Sequence, residues 1–575
     1  MNTETFFQQF ELLADAPNGI AKLRELILQL AVQGKLVPQN PDDEPAAVLL
    51  EKIKAEKERL LKEGKIKKSK ILFPSELELK PYELPNSWNW SRLGTICKKL
   101  VDGSHNPPKK QYSGIPMLSG QNVLNTQITL EASRYITEED YQKESARTNI
   151  QPGNVLLTIV GTIGRSTIVP ENMPRFAIQR SIAVFDSNLY PTYLSLYLRS
   201  NIAYDYFLEN SKGTAQLGIY LNKLSLLYVA IPPLAEQKRI VEKVNRLMEL
   251  CDKLEIQQQQ QQTKTLQLGT VATSRLTAAK NPEAFKQHWQ NISKNFDLIY
   301  STPENIKQLR QTILQLAVMG KLVPQNPDDE PAFVLLAKIK AEKEKLIKEG
   351  KIKKSKKLKA MSPDEIPFDL PKTWKWIRLS EIISFMDAGW SPACEKHPTN
   401  DEMTWGVLKT TAVQELKYQQ SKHKELPEEL KPRPEYEVKT GDILITRAGP
   451  KNRVGICCLV KDTRPKLMIS DKIIRFHLIE KHILADFIAL VLNSGFSKSY
   501  IESQKSGMAE SQMNISQVKL KMTPLSFPPL AEQHRIVAKV NQLMTYCDEL
   551  EAKLTQSLSD KEKLMDTAVY QLLTA

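Results

Sequence analysis

The sequence predicts an α+β chain in which two mixed α/β domains are separated by long antiparallel helical coiled-coil segments, in a cyclic pseudo-twofold arrangement. Three observations lead there. One stretch, LRELILQLAVQGKLVPQNPDDEPAAVLL through GKIKKSK at 23–70, returns at 309–356 with 41 of 48 positions identical. A second, PPLAEQKRIVEKVNRLMELCDKLE at 232–255, returns at 528–551 with 18 of 24 matching. Between the paired stretches lie inserts of 161 residues (71–231) and 171 residues (357–527) that agree only at scattered points. A chain that repeats its frame and varies its inserts is one scaffold presenting two different surfaces.

The helical segments follow from apolar spacing. Ile20, Leu23, Ile27, Leu30 and Ala31 step by three and four, so residues 1–34 are expected to be helical, with Gly34 as the stop. PQNPDDEP (38–45) is a turn that starts the next helix, with Asp42 or Asp43 as cap and Pro45 in the first turn. That helix runs from Ala46 to about Glu63, amphipathic through Val48, Leu49, Ile53, Leu60 and Leu61, and Gly64 ends it. KIKKSK (65–70) is a basic exit, either a solvated linker or a phosphate contact.

From Tyr82 to Pro233 the texture changes to short β-like runs broken by Gly, Pro and Asn. VLLTIVGTIG (155–164) reads as strand and turn, FAIQRSIAVF (176–185) as a strand, TYLSLYLRS (192–200) as a helix. The second insert retraces the first: DLPKTWKWIRLSEI (369–382) matches ELPNSWNWSRLGTI (83–96), TGDILITRAG (440–449) matches PGNVLLTIVG (152–161), and LMISDKIIRF (467–476) matches FAIQRSIAVF by position. After each insert the period becomes a heptad. Ile240, Val244, Leu247, Cys251 and Leu254, and later Ile536, Val540, Leu543, Cys547, Leu550 and Leu554, form coiled-coil seams. The Gln run 257–262 lies in helical register, and some 40 helical residues make a rod of roughly 60 Å. NPEAFKQHWQNISKNF (281–296) reads as a loose connector. The expected domains are 1–80 (helical repeat), 81–233, 234–366 (central helical spacer), 367–529 and 530–575 (C-terminal coiled-coil helix).

With A for the first repeat, B and B′ for the inserts and C for the heptad helix, the order is A–B–C–A–B′–C. If the central C packs antiparallel on the central A, the terminal C packs likewise on the terminal A, and the two ends of the chain meet.

The totals narrow the function. Lys+Arg 80 against Asp+Glu 66 leaves +14, which favours a polyanionic partner, most commonly nucleic acid. The six cysteines (Cys97, Cys251, Cys394, Cys457, Cys458, Cys547) form no CxxC pair and sit at no zinc-finger spacing with His, so metal is not expected. Cys251 and Cys547 read as small core residues. MNTETFFQQF lacks the pattern of a secretory signal, and no apolar run approaches a membrane span, so a reduced, cytoplasmic chain without membrane contact is expected. No GxxxxGK[ST] is present and no Gly-rich turn follows a strand, so neither ATP nor S-adenosylmethionine binding is expected. The seven His suggest no triad.

The frame LRxxILQLAVxGKLVPQ in both copies, PPLAEQxRIVxKV after each insert, the insert opening DGSHNPPKKQYSGIPMLSGQNV (102–123) and the order of these parts together resemble the specificity subunit of type I restriction–modification enzymes, over essentially the whole chain. The resemblance implies that each insert is a target recognition domain reading one half of a split DNA sequence. It also implies that the helices act as a ruler and dock two modification subunits, with restriction/translocase subunits able to join. S-adenosylmethionine is then expected in the modification subunits, ATP and Mg2+ in the restriction subunits, and no cofactor on this chain. Because the inserts differ, the bipartite double-stranded DNA site is expected to be asymmetric, with half-sites about one helical turn apart.

Base reading needs polar and cationic side chains on loops beside a basic surface. Four places in each insert offer them. Ser104, His105, Lys109 and Lys110 stand against Trp390, Ser391 and Lys396; Gln121 and Asn122 against Lys409, Thr410 and Thr411. Thr162 and Arg165 stand against Arg447, Lys451, Asn452 and Arg453. Gln179 and Arg180, then Ser211, Lys212, Thr214 and Gln216, stand against Ser470, Asp471 and Lys472, then Lys505, Ser506, Glu510 and Ser511. Asp471 in the place of Arg180 is the kind of change that switches a base preference. Trp88, Trp90, Trp374 and Trp376, near-identical in both inserts, are expected to pack a domain edge. Two rival readings remain open: a tandem DNA-binding or scaffold protein with no methyltransferase partner, and a self-sufficient adenine methyltransferase using Asn106-Pro107-Pro108-Lys109. The second lacks the aromatic residue that stacks on a flipped base.

Overall fold

The computed structural model describes residues 6, 8–66, 80–131, 134–213, 216–353, 361–362, 365–479 and 482–574. It forms two compact units, residues 1–261 with 556–575, and residues 262–555.

In the first unit, the frame begins with two helices, Phe10–Ala14 and Gly19–Val32, rather than the single one expected. The chain breaks at Asn18, which adopts a left-handed backbone (φ 55°). Leu23, Leu26, Ile27 and Leu30 of the longer helix are fully buried. The next helix, Ala46–Lys62, buries Ala46, Leu49 and Ile53. Val48, expected on that face, is 41 % exposed. The helix has no side-chain cap. Asp43 is instead drawn into an ion pair with Arg239 (2.5 Å) on the heptad helix, a stronger partner than a backbone N–H.

The heptad helix Leu234–Ala278 gives this unit its residues 234–261. Ile240, Val244, Leu247 and Cys251 are buried, with Leu254 packed at the edge of the same core as the frame helix. The two helices are antiparallel, because their bonds run in opposite senses. Asp43 meets Arg239, Arg24 meets Asp252 (2.8 Å) and Glu255 (2.7 Å), and Ala14 O accepts from Gln258 Nε2 (3.0 Å). The chain's last turns close the same core. Met565, Ala568 and Leu572 are buried in it, Lys22 pairs with Asp566 (2.6 Å), and Lys35 Nζ donates to Leu573 O (2.8 Å). The meeting of frame and C-terminal helix is therefore as expected, but the two run in the same direction.

The second unit shows why. Asn281 accepts from Ala284 N (2.8 Å) and Pro282 opens the first turn, so the supposed connector is a helix, Pro282–Lys294. Its 13 residues carry the chain back about 20 Å along the end of the heptad helix. The second frame helix, Pro303–Val318, therefore starts level with Thr265, whose carbonyl accepts from Asn305 Nδ2 (3.2 Å). It runs parallel to the helix end, reaching Thr277 O through Lys321 Nζ (2.7 Å). Against the start of the heptad helix that follows its own insert, Leu530–Thr574, it is held by Arg310 to Asp548 (2.7 Å) and Glu551 (2.9 Å). Ile536, Val540 and Cys547 are buried there, with Leu543, Leu550 and Leu554 packed beside them.

Each insert is tied to its frame by the same junction. Gly34 (φ +73°) lies so close to Pro85 that an added Cβ would stand 2.5 Å from its ring; Gly320 (φ +68°) meets Pro371 at 2.6 Å. Trp88 Nε1 donates to Glu236 Oε2 (3.0 Å) and Gln39 Nε2 to Glu236 Oε1 (2.7 Å). Trp374 and Gln325 do the same for Glu532 (2.8 and 2.5 Å). Gln237 and Gln533, fully buried, accept from the Tyr190 and Leu484 backbone N–H groups of the inserts (2.9 and 3.0 Å). Burial pushes the Glu236 and Glu532 carboxyls up from their ordinary value, against the pull of these donors. Trp88 and Trp374 thus pack the domain edge, as expected.

Each insert centres on a four-stranded antiparallel sheet. In the first unit its order is Cys97–Asp102, Ile182–Ser187, Val155–Thr158, Ser166–Ile168. In the second it is Ile383–Ala388, Ile473–Leu478, Ile443–Thr446, Cys457–Leu459. The expected strand 176–185 is two pieces, Ala177–Ile178 in a three-stranded sheet and Ile182–Ser187 in the central one. The turn between them becomes part of the candidate site. The helix expected at 192–200 is Pro191–Leu198.

Trp88→Phe and Trp374→Phe each leave a buried carboxylate short of one donor, and are each expected to cost about 1.5–3 kcal/mol in chemical denaturation. Leu247→Glu, placing a charge in a buried seam, is expected to cost more and to abolish cooperative unfolding of the first unit. Normal unfolding of that variant would contradict the packing of the heptad seam.

Candidate nucleic-acid interface

In the first insert the four expected places lie side by side. Gly103 is pressed against the turn at 179–182, where an added Cβ would run into the carbonyls of Ile178 and Gln179. Ser104 N donates to Ile178 O, and Arg180 N to Ser104 O (both 2.9 Å). Gln179 N donates to Leu118 O (2.8 Å), and Ser181 Oγ accepts from Gly120 N (2.9 Å), which joins the second loop. Ser181 O accepts from Ile159 N, and Leu217 O from Gly161 N (both 2.9 Å), bringing in the third and fourth. His105, Lys109, Lys110, Gln121, Thr162, Arg180, Lys212 and Gln216 are exposed on this run, with Arg165, Gln179 and Ser211 half-buried. Thr214 lies outside the described residues, as do positions 67–70 of the basic exit.

The second insert builds the corresponding surface with other side chains. Trp390 N donates to Ile469 O (3.1 Å), Arg447 N to Lys472 O (2.7 Å) and Ile515 N to Arg447 O (2.9 Å). Lys451 holds Glu510 through its backbone N–H (2.7 Å) and its Nζ (2.9 Å). Ser391, Lys396, Thr411, Lys451, Asn452, Asp471, Lys472, Ser506, Glu510 and Ser511 are exposed; Lys409, Thr410 and Arg447 are half-buried.

Six expected contact residues are used inside the protein instead. Ser104 is buried and donates to Glu144 (2.8 Å). Asn122 is buried, accepting from Ser119 N (3.0 Å) and donating to Thr129 O (3.0 Å) and Glu131 O (3.1 Å), so it closes its own loop. Ser470 is buried in the turn. Trp390 is half-buried beneath the Arg433 guanidinium, 4.2 Å from its ring centroid. Arg453 donates to Gln414 Oε1 (3.0 Å), Thr410 O (2.9 Å) and Val413 O (2.7 Å), clamping two loops together. The Lys505 side chain is 1 % exposed and its Nζ donates to Lys451 O (2.8 Å). Ser104, Trp390, Arg453 and Lys505 meet partners on distant loops, so their orientation is not encoded locally, whereas Asn122 is held within its own loop.

Sequence reasoning also missed the groups that hold the first loop. Asp102 bonds His105 Nε2 (2.6 Å) and Arg147 Nη1 (3.3 Å), and Arg147 donates to the carbonyls of Asp102 (2.7 Å) and Gly103. Tyr112, fully exposed two residues after Lys110, is a further missed candidate, signalled only by an aromatic residue in a basic polar loop. The face offers donors, acceptors and cations on loops carried by a rigid sheet, which suits phosphate positioning and base-edge contact. Asn106, Pro107 and Lys109 of the methyltransferase-like tetrapeptide are exposed on the first loop. Among the described residues no group of three or more His, Cys, Asp or Glu is placed to hold a metal ion. No described helix is long and apolar enough to cross a membrane.

A family model described as the type I restriction modification DNA specificity domain matches twice, at residues 85–264 and 371–560. The chain is 44% identical over 562 residues to the type I restriction enzyme EcoEI specificity subunit of Escherichia coli, covering 95% of this chain and 93% of that one. It is 33% identical to the EcoAI specificity subunit of the same species, covering 96% and 94%. Among solved structures, the HsdS subunit from Thermoanaerobacter tengcongensis aligns over 86% of this chain and 98% of its own, with 18% identity and a TM-score of 0.41.

If Lys109 and Lys110 neutralise phosphates, replacing both by Ala is expected to make the slope of log K against log salt shallower by almost two, measured by DNA binding across a salt series. Arg453→Ala is expected to act differently. It unclamps a loop, lowers the thermal stability of the second unit and weakens binding, and Arg453→Lys does not restore the three bonds.

Proposed function

Because the chain belongs to the type I restriction–modification DNA specificity family, as a subunit that confers sequence specificity and is itself non-catalytic, we propose that each insert reads one half of a bipartite, asymmetric site in double-stranded DNA. The observation that carries this is the pairing of sameness and difference. The junctions are alike bond for bond (Trp88, Gln39 and Glu236; Trp374, Gln325 and Glu532), while the loops they present carry different side chains at equivalent places. A rigid mount with interchangeable contacts is what two different readers need.

Of the expected contact residues, the exposed set carries the proposal: His105, Lys109, Lys110, Gln121, Thr162, Arg180, Lys212 and Gln216 in the first reader, and Ser391, Lys451, Asn452, Lys472 and Ser511 in the second, with the half-buried Arg165, Lys409 and Arg447 beside them. The frame helices supply docking surfaces. With 41 of 48 positions shared, the two copies suit two like partners, and we assign them to two modification subunits, with restriction subunits joining the assembly. Methyl transfer and translocation then lie in those partners, with S-adenosylmethionine in the former and ATP and Mg2+ in the latter. A self-sufficient methyltransferase is not favoured by the family assignment.

Mapping N6-methyladenine in host DNA with and without this chain tests the proposal. Loss of a split motif from both strands is the expected result. Replacing the first insert (71–231) by that of a relative is expected to change one half of the motif and leave the other. Methylation independent of the chain would refute the assignment.

A further inference from the structure

Two turns, one in each insert, hold opposite charges in the same place. In the first insert the chain turns at 179–182, with Ile182 N donating to Gln179 O (3.0 Å). In the second it turns at 470–473, with Ile473 N donating to Ser470 O (3.0 Å). Each turn leads into the strand beside the sheet's first strand, and the registers match: Asp102 lies opposite Ala183, and Ala388 opposite Ile474. Each is packed against a glycine that admits no side chain, Gly103 on Ile178 and Gln179, Gly389 on Ile469. Arg180 and Asp471 are therefore equivalent by backbone geometry. Both are exposed, while Gln179 is half-buried and Ser470 buried.

The two side chains differ in what they offer. Arg180 presents a guanidinium on a surface that also carries Lys109, Lys110 and Lys212. Asp471 presents a carboxylate that is already oriented. Ser391 Oγ donates to Asp471 Oδ1 and accepts from Asp471 N (3.2 Å), while Oδ2 has no hydrogen-bond partner among the described residues. A carboxylate on a face built to meet phosphates is repelled by them. It is useful there only where it meets a donor, and the donors DNA offers in the major groove are the exocyclic amines.

We infer that Arg180 and Asp471 each read one base pair at the same position of their respective half-sites, Arg180 by donating to O6 and N7 of guanine and Asp471 by accepting from N4 of cytosine. The inference rests on the reading of the two inserts as DNA recognition domains. Ser391 is then a positioning residue that aims the carboxylate.

The test uses the full chain assembled with its modification subunits on a DNA library randomised through both half-sites, with methylation read at single-base resolution. Asp471→Ala is expected to lower the preference for cytosine about tenfold at one position of one half-site, within what a good side-chain to base contact supplies. Arg180→Ala is expected to do so for guanine at one position of the other half-site. Ser391→Ala is expected to give a smaller loss at the Asp471 position alone. Both residues are exposed, so thermal unfolding of the variants should match the parent. Unchanged base preferences, or a uniform loss across all sequences, would overturn the inference. A parent assembly with no bipartite preference would instead overturn the assignment of the inserts.

Discussion

The structure depends on a buried carboxylate. Glu236 and Glu532 sit at the first turn of the two heptad helices, almost without solvent, and each is satisfied by an indole from the insert and an amide from the frame. One side chain thus ties three segments together: the frame, the edge of the inserted domain and the helix that follows it. A wholly unmet carboxylate at that depth would cost several kcal/mol, so the bonds support one another at the junction. The adjacent Gln237 and Gln533 extend the knot into the insert, and Arg239 and Arg535 extend it to Asp43 and Asp329. Gly34, Gln39, Glu236 and Gln237 and their counterparts Gly320, Gln325, Glu532 and Gln533, the shared residues of LAVxGKLVPQ and PPLAEQ that build the junction, are accounted for here. Every one of these bonds needs a particular atom at a particular depth.

That constraint separates what holds a reader from what it reads. The mount is made of residues common to both halves, and the reading loops hang from sheets with the same strand order and different side chains. The loops are bound to one another by backbone bonds, such as Ser104 O with Arg180 N and Lys472 O with Arg447 N, so side chains can change without loosening the surface. The two faces also differ in charge balance. The second keeps part of its cationic charge paired, with Lys451 against Glu510 and Lys505 turned inward to Glu502. The first presents Lys109, Lys110, Arg180 and Lys212 outward.

Most of the frame was legible because its signals are periodic. The heptad positions Ile240, Val244, Cys251, Ile536, Val540 and Cys547 are buried as their spacing required. Two of the errors fell where a distant partner outweighed a local signal. Asp43 left the helix cap for Arg239, and FAIQRSIAVF broke into two strands because its middle is anchored to Ser104 and Leu118. The helix Pro282–Lys294 was missed although Asn281 and Pro282 are ordinary start signals, and that omission reversed the expected direction of the next helix. At the site, the sequence singled out loops that the fold brings side by side in the first insert, but not which of their side chains face outward. Arg453 and Lys472 are both cations on neighbouring loops, and only the fold decides that the first clamps carbonyls and the second faces outward.

The first unit is built from both ends of the chain, and this has a consequence for its synthesis. Lys22 pairs with Asp566 across 544 residues, and the core beside it is finished by Met565, Ala568 and Leu572. At a ribosomal rate of about 5–20 residues per second, the N-terminal frame helix waits roughly half a minute to two minutes for its last neighbours. The second unit, continuous from 262 to 555, is complete before the first can close. A nascent chain therefore carries an apolar face through most of its translation, and a ribosome that stops short of the final turns releases a protein whose second reader is whole and whose first is unsealed.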